Sequence, residues 1–298
     1  VTNERVTPED FFGGPRTIIR KVLRAFDEQR TREWMESLGV PLKLEPTGKY
    51  FPVSNKARTV LDALMGRAEE LGVEMRFGTR VAALEKSGDG FRVHTATGET
   101  FEAGRVILAT GGKSLPKSGS DGYGLRLAEQ FGHTLVPTTP ALVPLLLEKD
   151  AGPLGDFTRF SGLTLDARLT LTNVNGKRLA QTEGSLLFTH FGISGPAALD
   201  ISRHWLRARL ENPGEQFPLL FSLPQFTSEQ DADEWLRKAA EEHPKRLPAN
   251  VLRELLPERL AQALGEGLPA MSQLRREQRT ALARKLAAMP LPVIGDRG

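Results

Sequence analysis

Cysteine is absent from this 298-residue chain. That excludes disulfides, cysteine-ligated zinc, iron–sulfur clusters and dithiol redox pairs from within it, so any redox chemistry must be carried by an external group. Long apolar runs are also missing. Stretches such as Leu142–Leu147 are short and carry a proline, Pro144, far below the roughly 20 residues that cross a bilayer. Val1–Asp10 is polar and unlike a secretion signal, and the expected address is cytoplasmic, with no membrane partner. An initiator methionine is lacking, and the chain stops in loop-like Ile294-Gly295-Asp296-Arg297-Gly298; both ends read as truncations of a longer protein. Charge of one sign is not in excess: 40 basic against 37 acidic residues leave a net +3. The two signs are interspersed, which reads as a solvated surface, and no nucleic-acid partner is expected. What remains, 39% hydrophobic and 26% charged residues, suffices for one large domain or two to three smaller ones.

Periodicity organises the first third. Ile18, Ile19, Val22, Leu23 and Phe26 recur at helical spacing within residues 14 to 39. A second short helix is expected from Thr31, with Trp34, Met35 and Leu38 inward and Gly39 as its stop. Residues 48 to 53 are extended, because Pro52 forbids a helix. Ser54 is the expected N-cap of a helix whose apolar face is Val60, Leu61, Leu64, Met65, Ala68 and Leu71, closed by Gly72. Val73–Phe77 alternates like a strand. Arg80–Lys86, Phe91–Thr95 and a stretch from Thr100 read as a small antiparallel meander turning at Ser87–Gly90 and Thr97–Glu99. Val106–Ala109 is a continuous apolar run, as expected of a parallel strand covered on both faces. A loop, Lys113–Gly122, leads to a helix over Tyr123–Phe131.

From Pro137 the character changes. Leu163–Thr172 alternates, Asn175-Gly176 is a strong hairpin signal, and Ser185–Thr189 and Gln216–Leu223 are further strands. A small antiparallel barrel or sandwich is expected over 140–223. A nearly all-helical stretch follows from Thr227 to Met289.

Val106–Gly112 carries the functional argument. A hydrophobic strand ending in Ala109-Thr110-Gly111-Gly112 puts two residues without side chains at the carboxyl edge of a parallel sheet, where α/β folds bind ligands. Glycines there allow close approach of a diphosphate or ribose and a positive φ in the exit turn. The plain alternative is a strand followed by an ordinary Gly-Gly turn. The helix, strand and meander before it favour a dinucleotide-binding fold.

Here the sequence resembles a family. Ala-Thr-Gly-Gly after a meander is similar to the second cofactor motif of two-dinucleotide-binding flavoproteins. Val1-Thr2-Asn3 resembles the tail of an Arg-Cys-Asn-Val-Thr-Asn motif. Gly48–Ala57, Gly119–Tyr123, Pro140–Leu145 and Leu187–Pro196 complete a pattern similar to the bacterial NAD(P)/FAD-dependent oxidoreductases that include gut bile-acid reductases and aminoacetone oxidases. The resemblance implies an α/β fold: an incomplete Rossmann-like FAD-binding domain with a β-meander over 1–139, an inserted β-barrel over 140–223, an inserted helical subdomain over 224–289, and a return toward the FAD domain over 290–298. It implies FAD as cofactor, reduced NAD(P)H as electron donor and a small-molecule substrate, with O₂ as an alternative acceptor. By position it puts Asn3 near the flavin, Val81 and Ala82 against the adenine through their backbone, and Ala109, Thr110, Gly111 and Gly112 along the cofactor. Family members open with a strand, a Gly-x-Gly-x-x-Gly loop and an acidic residue for the ribose. No such unit is present, Gly13-Gly14 is not that loop, and the chain is expected to hold half of a cofactor site.

Other candidates carry two readings each. Gly119–Tyr123, with Gly122, either borders the flavin or its substrate pocket or is a helix start capped by Ser120 or Asp121. Tyr123, one of two tyrosines, is a site residue or a packing side chain. His190 runs out of a strand ahead of a helix expected from Pro196; it is a proton donor or substrate ligand, or a hydrogen-bonded hinge. His94, His133, His204 and His243 show no metal-ligand spacing, and no metal is expected. Gly192–Pro196 does not match Gly-x-Ser-x-Gly. Arg275, Arg276, Arg279, Arg284 and Lys285 form a basic helical face, solvated or RNA-binding. The leading expectation is an FAD-dependent oxidoreductase; the alternatives are a nucleic-acid-associated binding protein and a folded, inactive fragment.

Overall fold

Residues Val1–Ile107 form one unit and Leu108–Gly298 a second, and the computed structural model describes residues 1–298 throughout. The first unit runs β1 (Thr2–Asn3), α1 (Arg16–Ala25), α2 (Glu28–Ser37), β2 (Leu42–Leu44), β3 (Lys49–Pro52), α3 (Ala57–Glu70), β4 (Val81–Ser87), β5 (Gly90–Thr95) and β6 (Thr100–Ala103). Helix α2 starts earlier than its apolar pattern suggests, because the Asp27 carboxylate accepts the free Arg30 N–H at 2.8 Å and caps it. Gly39, at φ +77°, lets the chain reverse so that the Val40 N–H reaches the Met35 carbonyl at 3.0 Å. Met35 and Val40 are buried there. The meander has the expected register, with Phe91 opposite Lys86 on one side and Ala103 on the other. Gly90 is required at its corner, since a Cβ would lie 2.7 Å from the Ala103 carbonyl oxygen.

Three expectations fail in this unit and at its end. Val73–Phe77 is not a strand, nor is Val106–Ala109; Phe77 is 75% and Ile107 90% exposed. Helix α3 forms, but its apolar face contains no buried residue. A buried parallel strand needs neighbours on both edges for its N–H and C=O groups and helices over both faces. The strands of this unit form two three-stranded antiparallel sheets, β1-β3-β2 and β4-β5-β6, and neither run pairs with any of them, so no parallel sheet forms for α3 to cover. Ser54 is likewise displaced from the N-cap. Its hydroxyl accepts the Lys56 N–H at 3.3 Å and pairs with the Thr59 hydroxyl at 2.7 Å, bracing the entry to a helix whose cap position is Lys56.

The second unit opens with α4 (Tyr123–Gln130), then β7 (Leu145–Leu147), β8 (Thr164–Thr172), β9 (Arg178–Phe188), β10 (Gly192–Ser194), α5 (Pro196–Glu211), β11 (Leu219–Ser222), α6 (Glu229–Glu242), α7 (Pro248–Leu252), α8 (Glu258–Gly265), α9 (Arg276–Ala287), β12 (Met289–Leu291) and β13 (Val293–Asp296). Its strands form one antiparallel sheet, ordered β12-β11-β8-β9-β10-β7-β13. The two outermost strands are consecutive in the chain and separated only by Pro292. Consecutive Cα atoms are about 3.8 Å apart, so the sheet's two edges must meet and the sheet must curl into a barrel. The barrel therefore draws its end strands from 289–296, beyond the helices. Ala167, Leu169 and Leu171 of β8 alternate inward with Leu186 and Phe188 of β9, and Ile201 and Trp205 of α5 join the same core. The Trp205 indole N–H is satisfied by the Phe217 carbonyl at 3.2 Å.

The helical part hangs from this barrel on apolar and ionic contacts. Ser228 accepts the Asp231 N–H at 3.1 Å while Asp231 accepts the Thr227 N–H at 3.0 Å, a reciprocal cap that starts α6. Ala232, Leu236 and Ala239 of α6 and Leu282, Ala283 and Leu286 of α9 belong to the shared core. Gly265 closes α8 against α7, where a Cβ would sit 2.4 Å from the Ala249 nitrogen. Arg168 of β8 donates to the Pro224 and Phe226 carbonyls at 2.7 and 2.9 Å, fixing the barrel-to-helix crossing. No helix of the protein is long and apolar enough to cross a membrane.

Candidate functional site

Ala109, Thr110, Gly111, Gly112, Gly122 and Tyr123 are brought together as one closed loop at the amino end of α4. The Gly122 N–H donates to the Gly112 carbonyl at 2.9 Å, Leu115 and Ser120 bridge the arms, and the Asp121 carboxylate accepts the Tyr123 N–H at 2.9 Å. Gly111 and Gly122 have φ of +71° and +76°, a region closed to most side chains. At Gly111 a Cβ would meet the Ser120 hydroxyl at 2.9 Å, and at Gly122 the Lys113 chain at 2.8 Å. Gly124, one turn position into α4, is the tightest: a Cβ would lie 2.0 Å from the Thr110 hydroxyl oxygen. Glycine in a helix costs about 1 kcal/mol against alanine, and here it lets Thr110 fold onto the helix start.

This loop fits part of a flavin dinucleotide. It joins the amino terminus of α4, whose first N–H is capped by Asp121, to glycines that leave the backbone bare and to the Lys113 side chain lying against Gly122. Ala109–Gly112 is exposed, so the bare backbone is open to a ligand. The Arg126 guanidinium stacks on the Tyr123 ring at 5.1 Å, which orients that half-buried side chain.

In the first unit, Asn3 lies opposite Lys49 and Thr2 opposite Tyr50, so two stretches of the family pattern, far apart in sequence, run side by side. Arg32 of α2 fixes this pair, donating to the Tyr50 hydroxyl at 3.0 Å and stacking on its ring at 4.8 Å. Val81 opens β4 opposite Thr95, and Ala83 pairs with His94. Ala82 is thus the extra residue of a β-bulge, a device that re-aims backbone groups beside sites. Asn3 and Val81–Ala82 sit in separate sheets.

His190 is exposed on the hairpin between β9 and β10. Thr189 builds that hairpin, its hydroxyl accepting the Gly192 N–H at 3.1 Å, and the Gly192 carbonyl accepts the Thr189 N–H at 2.8 Å. Gly192 admits no Cβ, which would fall on the Leu145 carbonyl oxygen. The His190 ring meets Phe191 edge-on at 5.0 Å, and the Arg297 guanidinium lies over the same Phe191 ring at 4.2 Å. Arg297 is placed there by its N–H to the Pro144 carbonyl at 3.0 Å. Sequence reading missed Arg297, for which no spacing rule exists, and Gly124, which a glycine inside a helical pattern does signal. Of the remaining histidines, His204 is half-buried, and its pKa is lowered by burial first and by the Arg203 charge second, against a raising effect of Asp200.

The basic face of α9 is partly neutralised. Arg279 pairs with Asp233 at 2.7 Å and Arg284 with Glu229 at 3.1 Å, which favours the solvated reading over a phosphate-binding stripe.

Comparison with known proteins places this geometry. The model described as the HI0933-like protein Rossmann domain matches residues 1–218, and that of the HI0933-like protein barrel and H2TH domain matches 139–298. The chain is similar to the 3-dehydro-bile acid delta(4,6)-reductase of Clostridium scindens, 34% identical over 86% of this chain and 59% of that protein. It is also similar to the ribosomal RNA dihydrouridine synthases of Escherichia coli, 29% identical, and Haemophilus influenzae, 26% identical, each over 88% of this chain and 61% of the relative. The chain spans about three-fifths of the length of these relatives.

Proposed function

The chain belongs to the HI0933-like family of FAD-dependent oxidoreductases, and from that premise we propose that it forms part of a reductase that saturates a carbon–carbon double bond conjugated to a carbonyl. The relatives' names support the reaction class. A 3-dehydro delta(4,6) steroid acid and a uridine both present a double bond in conjugation with a carbonyl, and in both names that bond is reduced. The observation that carries the cofactor part is the closed Thr110–Gly112 loop on the amino end of α4, with Gly124 admitting Thr110.

Bound flavin would supply the hydride, itself reduced by NAD(P)H; overall, NAD(P)H, a proton and the unsaturated carbonyl give NAD(P)⁺ and the saturated carbonyl. In this chain, Ala109–Gly112 and Gly122 of the second unit would hold one edge of the cofactor through backbone groups. His190 is assigned the proton delivered to the carbon next to the carbonyl, within the usual repertoire of a positioned imidazole. Tyr123, next to Gly122, would border the flavin or its substrate.

A second reading, that the reduced base lies in RNA, is favoured by the two dihydrouridine synthase relatives. One experiment separates the two. The purified enzyme is expected to be yellow, with flavin absorption bands, and to consume one NAD(P)H per double bond under anaerobic conditions when given a 3-oxo-4-ene steroid acid. A colourless protein refutes the flavoenzyme reading. Turnover only with uridine-containing ribosomal RNA, with affinity falling steeply with salt, selects the second reading.

A further inference from the structure

We propose that Arg297, over the Phe191 ring that His190 also meets, is an anion-binding residue that takes an oxyanion of the substrate, a carboxylate or a phosphate. The chemistry begins with a charge that has no counter-charge. Within residues 1–298 the Arg297 guanidinium forms no ion pair and lies over the Phe191 ring at 4.2 Å. Arg168, Arg203, Arg237 and Arg279 of the same unit are each paired with a carboxylate, Glu183, Asp200 and Asp233, whereas Arg297, like Arg126 and Arg209, lies over an aromatic ring. A guanidinium stacked on an aromatic face keeps its in-plane N–H fork directed outward, the geometry that grips a carboxylate or phosphate with two parallel hydrogen bonds.

The platform under it is rigid. Phe191 sits between the Thr189 hydroxyl, which accepts its N–H at 3.4 Å, and Leu147, whose N–H it accepts at 3.2 Å. Gly192 next to it is locked against the Leu145 and Leu147 backbone. On the far side, β13 pairs with β7, bringing Asp296 opposite Leu145 and Arg297 onto the Pro144 carbonyl. His190 touches the same ring within 5.0 Å. One aromatic ring thus carries the imidazole assigned to proton delivery on one contact and a free guanidinium on another, and both polar groups are exposed. An anion gripped by Arg297 would be fixed at a set distance from His190.

The site needs no flavin to bind an anion; only the identity of that anion rests on the reductase reading above. Two measurements keep the two claims apart. In the flavin-loaded enzyme, Arg297→Gln is expected to raise KM for a 3-oxo-4-ene steroid carboxylate roughly tenfold or more, from the loss of charge-assisted hydrogen bonds. Arg297→Lys should recover part of this, kcat should hold, and the uncharged analogue of the same steroid should be unaffected. An increase confined to a uridine oligoribonucleotide supports the same site with phosphate as its anion. Equal KM increases for charged and uncharged substrates would reveal a structural role and overturn the proposal, as would no change with any of them. If the enzyme reduces none of these, the reductase reading has failed and the second measurement decides. Inorganic phosphate titrated into arginine-labelled protein should shift the Arg297 Nε–H resonance, identified by its loss in Arg297→Lys; an unmoved resonance overturns the anion site.

Discussion

Gly124→Ala is the sharpest perturbation of the cofactor loop. A Cβ at this position would lie 2.0 Å from the Thr110 hydroxyl oxygen and 3.0 Å from both its Cβ and Cγ2. Rotation about χ1 moves the hydroxyl and methyl but not the Thr110 Cβ, so the Thr110–Gly111 backbone must also shift. Overpacking of this kind costs about 1–3 kcal/mol, while alanine in place of glycine near a helix start returns up to about 1 kcal/mol. The expected net loss is roughly 0.5–2 kcal/mol, a fall in Tm of roughly 2–6 °C for a unit of this size. Thr110→Ala removes the two rotatable clashes and should recover most of the loss in the double variant, a coupling of about 1 kcal/mol. Thermal melts of the four proteins in the cycle give the stability coupling, and flavin titration gives the functional one. Gly124→Ala should also weaken flavin binding, and the double variant should regain it. The reasoning is refuted if Gly124→Ala melts at or above the parent, or if its cost is the same with Thr110 present and absent.

Other expectations follow from the same geometry. Gly192→Ala should cost more than about 3 kcal/mol, because its Cβ would meet backbone atoms of β7 that have nowhere to move; soluble, parent-like protein in a denaturant melt would contradict this. Arg279→Ala leaves Asp233 with one cation instead of two and should destabilise by about 1.5–3 kcal/mol, read by urea unfolding. Burial acts to raise Asp233, but the Arg279 hydrogen bond and the Arg279 and Arg237 charges outweigh it and hold the pKa below its ordinary value. A lowered carboxylate contributes stability that is present above its unfolded pKa near 4 and lost as pH falls through the folded value. The parent should therefore lose stability in acid more steeply than Asp233→Asn, and parallel pH–Tm curves would contradict it. Val22→Ser on α1, where the parent residue is 63% exposed, should change Tm by less than about 1 °C; a larger fall in a thermal melt would contradict the exposed placement of this face.

How far the sequence reveals this fold depends on whether an element needs only itself or a partner. The meander was legible because its turns, Ser87–Gly90 and Thr97–Glu99, and its alternation lie within one short stretch, and the Asn175-Gly176 hairpin and the Pro196 helix start are local in the same way. Val73–Phe77 and Val106–Ala109 show the limit. The alternation of the first and the continuous apolar run of the second record a preference for being covered on one face or on both, but pairing belongs to a neighbour, and the strands present pair antiparallel with one another. Ile107, Phe77 and the apolar face of α3 are accordingly left exposed or only partly covered. The site divides along the same line. Ala109–Gly112, Gly122 and Tyr123 could be grouped from sequence because glycine spacing and a helix cap act over a few residues. Arg297 could not, since its contact with Phe191 is created by β7 lying between β10 and β13, an adjacency that arises only when a barrel closes through Pro292. That barrel closure is what puts an unpaired cation beside His190, and it makes the carboxyl-terminal strand part of the candidate site and not only of the scaffold.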